Sequence, residues 1–387
     1  MKQFMLDKFK EVFGSCEGVK VYFAPGRVNL IGEHTDYNGG HVFPVALTIG
    51  TYAAVRLRDD HKTNMFSANF DKLGVFRGSI DLLKPCKEDG WTNYPKGVIW
   101  AFEQKGMHID RGFDVVYWGN IPNGSGLSSS ASIEVLTGFW LKDLFGFAVD
   151  NKELAVIGQF SENNYNGVNC GIMDQFAIAM GRQNSAIFLD TNTMLYEYVP
   201  IKLDGISLVV VSSNKKRGLG DSKYNERRSE CEEALRRIQK HIDIPALGSL
   251  DEETFDKCVG YIGDEILTRR AKHAVYENSR TVKAVNALNA NDIELFGQLM
   301  IMSHKSLRDD YEVTGRELDT LVSEALKVEG VVGARMTGAG FGGCTVNLVR
   351  NEAVDDFIKK VGEAYLNAIG YKADFYVVSI GDGPCEL

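Results

Sequence analysis

Apolar and polar residues change period several times along the chain, and the changes outline its elements. Residues 1–14, MKQFMLDKFKEVFG, set Phe4, Phe9, Val12 and Phe13 among charges. That spacing predicts an amphipathic helix, not a signal peptide, whose apolar core runs unbroken. VKVYFA at 19–24 reads as a strand ending at Pro25-Gly26. Residues 45–57 and 62–68 are rich in β-formers, 92–105 read as helix, and FDVVYWG at 113–119 is a strand running into the turn Pro122-Asn123-Gly124. Helical spacing returns from Leu127 to about Phe145 and over 151–165. Short strands follow at 185–190, 195–201 and 206–212, then a helix-rich stretch from about 222 to 328. A Gly-rich turn at 338–343 reads as the link from a helix to a strand at 344–350. A helix at 352–368 and a strand, FYVVSI at 375–380, close the chain.

Strands and helices come in clusters instead of strict alternation, which predicts an α+β fold. No low-complexity linker or internal repeat is visible. The division falls between about 180 and 205, giving an N-terminal unit of 1–190 and a C-terminal unit of 191–387. The apolar run ISLVVV at 206–211 is far too short to span a bilayer, so no membrane role is expected.

Composition narrows the function classes. The chain has 387 residues, 44% hydrophobic and 25% charged, which excludes a disordered tail, a collagen-like chain and a disulfide mini-scaffold. A formal net charge of −9 leaves no basic field for nucleic acid. The seven cysteines are widely spaced with no C-x-x-C, and the seven histidines form no close ligand pair, so neither a zinc site nor a disulfide framework is expected. Free thiols in a reducing, cytoplasmic setting are the expectation. The sequence fixes no oligomeric state, and a monomer is compatible with it.

One number departs from the ordinary. There are 40 glycines but only 8 prolines, about 10% glycine where roughly 7% is usual. The excess falls in four segments. APGRVNLIGEHTDYNGG at 24–40 sets Arg27, Glu33, His34 and Asp36 between glycines. Donors and paired acceptors in one loop suit a polyol or sugar better than a core. IPNGSGLSSSAS at 121–132 leaves a strand and enters a helix, where Ser128, Ser129 and Ser130 meet free N–H groups and the positive dipole end. Such a start favours phosphate, and a hydroxyl there can ligate Mg²⁺. It is neither a Walker loop, since no Lys follows Gly126, nor a dinucleotide fingerprint, since Ser129 stands at the third glycine position. GVNCGIMDQFAIAMG at 167–181 places Asp174 in an otherwise apolar stretch, and Glu162 lies upstream at a helix end. MTGAGFGGC at 336–344 holds four glycines in six residues, more than a simple turn needs.

These four segments, in this order, resemble the GHMP kinase superfamily, and GRVNLIGEHTDYNGG resembles the galactokinase signature. The resemblance runs from about residue 20 to the C-terminus. It implies a two-domain α+β fold, the N-terminal domain similar to ribosomal protein S5 domain 2, with the active site between the domains. It implies ATP-dependent phosphorylation of galactose at C1, with Mg²⁺ as cofactor. Asp174 would accept the hydroxyl proton, and Arg27 would stabilise charge on the transferring group. Glu33, His34, Thr35, Asp36, Gly171 and Tyr224 would bind the sugar. Gly124, Ser125, Gly126, Leu127, Ser128, Ser129 and Ser130 would cradle the phosphates. Ser130 and Glu162 would hold Mg²⁺, while Ser67, Trp91 and Tyr94 would line the nucleotide pocket. Related members act on N-acetylgalactosamine, galacturonate or arabinose, and others are non-catalytic galactose and ATP sensors. The uninterrupted EHTDYNGG favours galactose, and the complete SSSAS favours catalysis.

Overall fold

The computed structural model describes residues 1–122, 126–215 and 220–387. The chain opens with helix α1 (Lys2–Phe13), then strands β1 (Lys20–Asn29), β2 (His41–Val42), β3 (Pro44–Leu57), β4 (Lys62–Ser67) and β5 (Phe76–Ser79). Helix α2 (Asn93–Gln104) and strand β6 (Phe113–Gly119) lead to helices α3 (Ser129–Phe145), α4 (Asn151–Ser161) and α5 (Met173–Ala179). Strands β7 (Ser185–Asp190), β8 (Tyr196–Pro200) and β9 (Ile206–Ser212) precede helices α6 (Gly220–Ile238), α7 (Glu252–Cys258), α8 (Glu265–Asn289), α9 (Ile293–Asp309) and α10 (Gly315–Ala325). The end of the chain is β10 (Val331–Thr337), β11 (Cys344–Arg350), α11 (Val354–Ile369), β12 (Asp374–Val378) and β13 (Cys385–Glu386).

Among the described residues the strands form three sheets, ordered β13-β1-β3-β6-β4-β5, β10-β11-β9-β12 and β2-β7-β8. Alternation in β3 and β6 explains the layering of the first sheet. Ala53, Val55, Val115 and Tyr117 point toward α2, α3 and α5, packing with Phe102, Trp140 and Phe176. Their neighbours Tyr52, Ala54 and Val116 point to the other face, where α1 covers them with Met5 and Phe9. The apolar run of β9 has no polar face because both faces are covered. Val209 and Val211 pack on Phe357 and Tyr365 of α11. Leu208 and Val210 pack on the side of α9, in a core that also holds Val28 and Phe43 from the first half. That shared core and the pairing of β13 with β1 tie the two halves together.

Two expectations change. Strand β1 does not end at Pro25-Gly26 but continues to Asn29, shifting register between Pro25 and Arg27. The bulge accommodates proline's missing donor and lets the strand deliver Arg27 on a rigid support. The Gly-rich turn joins β10 to β11 as a hairpin, so it follows a strand and not a helix.

Candidate active site

Four elements converge on one cavity of about 360 Å³. They are the segment after β1, the start of α3, the loop before α5 and the β10–β11 hairpin.

At its inner end, Glu33 is 1% exposed. Its carboxylate accepts from the Gly338 amide at 2.6 Å and the Asn29 side chain at 3.1 Å, and Arg335 lies 3.5 Å away. Burial pushes the Glu33 carboxyl up, against the charges of Arg335 and Arg27. His34 takes a left-handed backbone, φ 60°, unusual for a non-glycine residue. Its Nδ1 meets the Tyr37 hydroxyl at 2.7 Å, and that hydroxyl meets Tyr311 at 2.8 Å. Burial lowers His34 to about 3, so the ring is neutral near pH 7. Asp36 turns toward the cavity and accepts from the Met173 amide at 3.4 Å. Burial, then the charge of Asp174, push Asp36 up to about 6. Gly171 is required here, because a Cβ on it would stand 1.8 Å from the Asp36 Oδ2. Tyr224 of α6 closes this end, its ring 5.6 Å from that of His34.

At the centre, Arg27 forks onto Asp174. Nε and Nη2 each donate to a carboxylate oxygen at 2.7 Å, and Nη1 donates to the Gly126 carbonyl at 2.7 Å. Bidentate geometry of this kind fixes orientation as well as charge. Ser128 is the N-cap of α3, yet its hydroxyl makes no capping bond. It donates to Asp174 Oδ2, and its φ of 58° aims it there. The first turn of α3 brings Ser129 and Ser130 to the cavity wall.

Below that turn, α4 gives way to a π-helical turn, Glu162–Asn166, an irregularity frequent at functional sites. It presents Glu162 to the cavity. Glu162 hydrogen-bonds the fully buried Glu134, whose carboxyl is pushed well up by burial and then by the Glu162 charge. Gln175 braces Glu134 at 3.0 Å. Among the described residues no cluster of three or more His, Cys, Asp or Glu could cage a metal. Ser130 and Glu162 nevertheless offer hard oxygens on one wall, the sparse protein set that suits Mg²⁺ when phosphates complete its shell. The outer end is lined by Ser67, Trp91 and Tyr94. Trp91 lies edge-on to Tyr117 and Phe76, and its buried Nε1 has no hydrogen-bond partner.

Most residues singled out from sequence thus meet in one place. Gly124 and Ser125 lie outside the described residues. Thr35 stands behind the wall and spends its hydroxyl on the carbonyls of Gly32 and His41. Leu127 is buried behind it too, its carbonyl accepting from the Arg27 amide at 3.3 Å. Sequence reasoning missed Asn29, Glu134, Gln175 and Arg335. Their only signal is a polar residue where the local pattern asks for an apolar one.

No helix among the described residues is long and apolar enough to cross a membrane. Comparison with known proteins matches residues 7–57 to the galactokinase galactose-binding signature, 93–182 to the GHMP kinase N-terminal domain and 284–367 to the GHMP kinase C-terminal domain. The chain is 59% identical to a galactokinase of Clostridium beijerinckii, covering 98% of this chain and 97% of that one. It is 54% identical to a Bacillus subtilis galactokinase, over 100% and 99%. The structure of Lactococcus lactis galactokinase complexed with galactose superposes over all of both chains, with TM-score 0.98 and 51% identity. A mevalonate kinase of Methanococcus jannaschii shares the fold at TM-score 0.66 and 19% identity. The two-domain α+β architecture is therefore that of the GHMP kinases, and the chain belongs to the galactokinase family.

Proposed function

We propose that the protein transfers the γ-phosphoryl group of ATP to the C1 hydroxyl of α-D-galactose, giving galactose 1-phosphate and ADP. The observation that carries this reading is the convergence of Glu33, His34 and Asp36 on the cavity that also holds the Arg27–Asp174 pair. Two carboxylates and an imidazole beside Tyr224 match the alternating donors and acceptors of a sugar. That placement supports each residue role. Glu33 and Asp36 accept from sugar hydroxyls, and Gly171 keeps Asp36 in place.

Asp174 faces the reacting hydroxyl. An ionised carboxylate has about four lone-pair sites. Arg27 occupies one on each oxygen and Ser128 takes a second on Oδ2, leaving one on Oδ1 for the C1 hydroxyl proton. Arg27 keeps a fixed positive charge beside the bond being made, where phosphoryl transfer gains most from preset charge. The amides opening α3 favour phosphate, and Trp91 and Tyr94 hold the base, so the helix end fixes the direction of transfer. Ser130 and Glu162 would hold Mg²⁺, which when bound offsets charge on the phosphate oxygens. Seven free cysteines and the ATP requirement favour a cytoplasmic setting. The division into units of 1–190 and 191–387 fits this reading, since β9–β12 and α6–α11 supply Tyr224 and the hairpin from the far side.

The test is ADP release by the purified protein with ATP, Mg²⁺ and a sugar panel. Galactose-dependent ADP with galactose 1-phosphate as product is expected. Preference for N-acetylgalactosamine would change the sugar, and tight galactose binding without ADP release would mark a sensor.

A further inference from the structure

Arg335 stands in the middle of β10 with no exposed surface and no place on the cavity wall. Its Nη1 donates to the Asn29 carbonyl at 2.9 Å and reaches Glu33 Oε1 at 3.5 Å. Nε and Nη2 have no hydrogen-bond partner. A guanidinium taken wholly out of water is costly unless opposite charge answers it. Two buried carboxylates do so. Glu33 lies 3.5 Å away, and the charge of Arg335 also acts on Glu277 of α8, which is likewise unexposed. Glu277 accepts from Arg280 Nε at 2.8 Å and from the Gly32 amide at 3.0 Å. Opposite charges thus follow one another through Glu33, Arg335, Glu277 and Arg280. Glu277 holds the Gly32 amide, next to Glu33 in the chain.

We propose that Arg335 is a positioning residue for sugar binding: without touching the substrate, it holds the Glu33 carboxylate as a fixed acceptor for a sugar hydroxyl. The inference rests on the galactose reading above. A strand from the second half thereby sets the state of a sugar ligand from the first. Without Arg335, burial dominates and Glu33 takes a proton more readily, turning from acceptor into donor.

Among the other groups facing Glu33, the Arg27 charge also lowers its carboxyl, less than Arg335 does. Arg27 is committed to Asp174 and Gly126. The Gly338 amide and Asn29 side chain are neutral donors. His273 of α8 meets the Glu33 carbonyl at 3.1 Å, but burial lowers it to about 4, and His34 to about 3, so both are uncharged at working pH. His304 of α9, beside the Met336 amide, is lowered as well. Asp36, raised to about 6 by burial and the Asp174 charge, also faces Glu33, whose charge pushes it up further.

The experiment measures galactose and ATP binding by calorimetry, with steady-state kinetics, from pH 5.5 to 9. Arg335→Met is expected to raise the galactose Kd and KM about tenfold or more, while the ATP KM stays within about twofold. The acid limb of galactose binding moves to higher pH, so the variant recovers at the alkaline end. Arg335→Lys keeps the charge but not the fork, so it should show about a threefold loss and little shift of the limb. If Arg335→Met does not fold, Arg335→Lys decides alone: a selective loss for galactose supports the proposal. An unchanged galactose KM, or equal loss for both substrates with an unmoved pH limb, overturns it. Wild-type protein that releases no ADP with galactose would defeat the functional reading instead.

Discussion

At the sugar end, Glu33 is 1% exposed and held by donors from β1 and the hairpin, while Asp36 is packed against Gly171 so closely that no side chain fits between. At the nucleotide end, Trp91, Tyr94 and Ser67 present partly exposed rings and a hydroxyl, and Trp91 Nε1 is not engaged. The first end spends buried charge and long-range hydrogen bonds on fixing a few oxygens. The second offers flat apolar surface and the unpartnered Nε1 donor of Trp91. Buried polar groups discriminate strongly, because a wrong partner leaves them unpaired. Aromatic faces bind with less demand on detail. Changes at the sugar end should therefore be severe and specific to galactose, and changes at the nucleotide end mild and specific to ATP.

The largest effect belongs to the point where the ends meet. Asp174→Ala removes the carboxylate that Arg27 and Ser128 aim. Turnover should fall by about 10³-fold or more, within the range general base groups supply, while ATP affinity changes little. A coupled ADP assay with an ATP titration checks both, and near-normal turnover would remove Asp174 from the chemistry. Gly171→Ala comes next. Its Cβ would displace the Asp36 carboxylate, so loss of one charged hydrogen bond to the sugar should raise the galactose KM about 10- to 100-fold. The ATP KM should hold. Equal loss for both substrates would break the contrast between the ends.

How much of this was legible depended on how local each cause is. β6 was read with its full span because FDVVYWG is a short run of β-formers bounded by a turn. The α3 start was legible because serines after glycines mark a helix entry. β10 was not, since Arg335 and Gly333 break its apolar run, and Arg335 is tolerated only because Glu33 and Glu277 come from distant parts of the chain. β1 ran past Pro25 because a bulge absorbed the proline, which depends on its pairing with β3. Thr35 shares a loop with three cavity residues, yet its direction is set by the carbonyls of Gly32 and His41, which no local pattern encodes.

Asp36 gives an effect of opposite sign in binding and in stability. Its pKa in the fold, about 6, is raised above the ordinary carboxyl value. A raised carboxyl contributes stability in its protonated form, fully present below the unfolded value and lost as pH rises through about 6. Galactose binding, which uses the carboxylate, should instead weaken as pH falls through about 6. Asp36→Asn should flatten that acid limb and raise the galactose KM, yet stabilise the fold at pH 8 by on the order of 2 kcal/mol and not at pH 3.5. Thermal unfolding at the two pH values checks it. An equal change at both would mean the carboxylate is not strained by burial.

The smallest effect lies at the outer end and sharpens the contrast most. Trp91→Phe keeps an apolar ring against Tyr117 and Phe76 but removes an Nε1 donor that has no protein partner. If Nε1 meets an acceptor on the nucleotide, losing one neutral hydrogen bond should raise the ATP KM about 3- to 10-fold, with galactose KM and turnover at saturating ATP unchanged. An unchanged ATP KM would show that this end binds through its faces alone. A change in galactose KM would show that the two ends are coupled across the cavity. Both departures are measurable against the 10- to 100-fold loss expected for Gly171→Ala, because the two substrates are titrated separately.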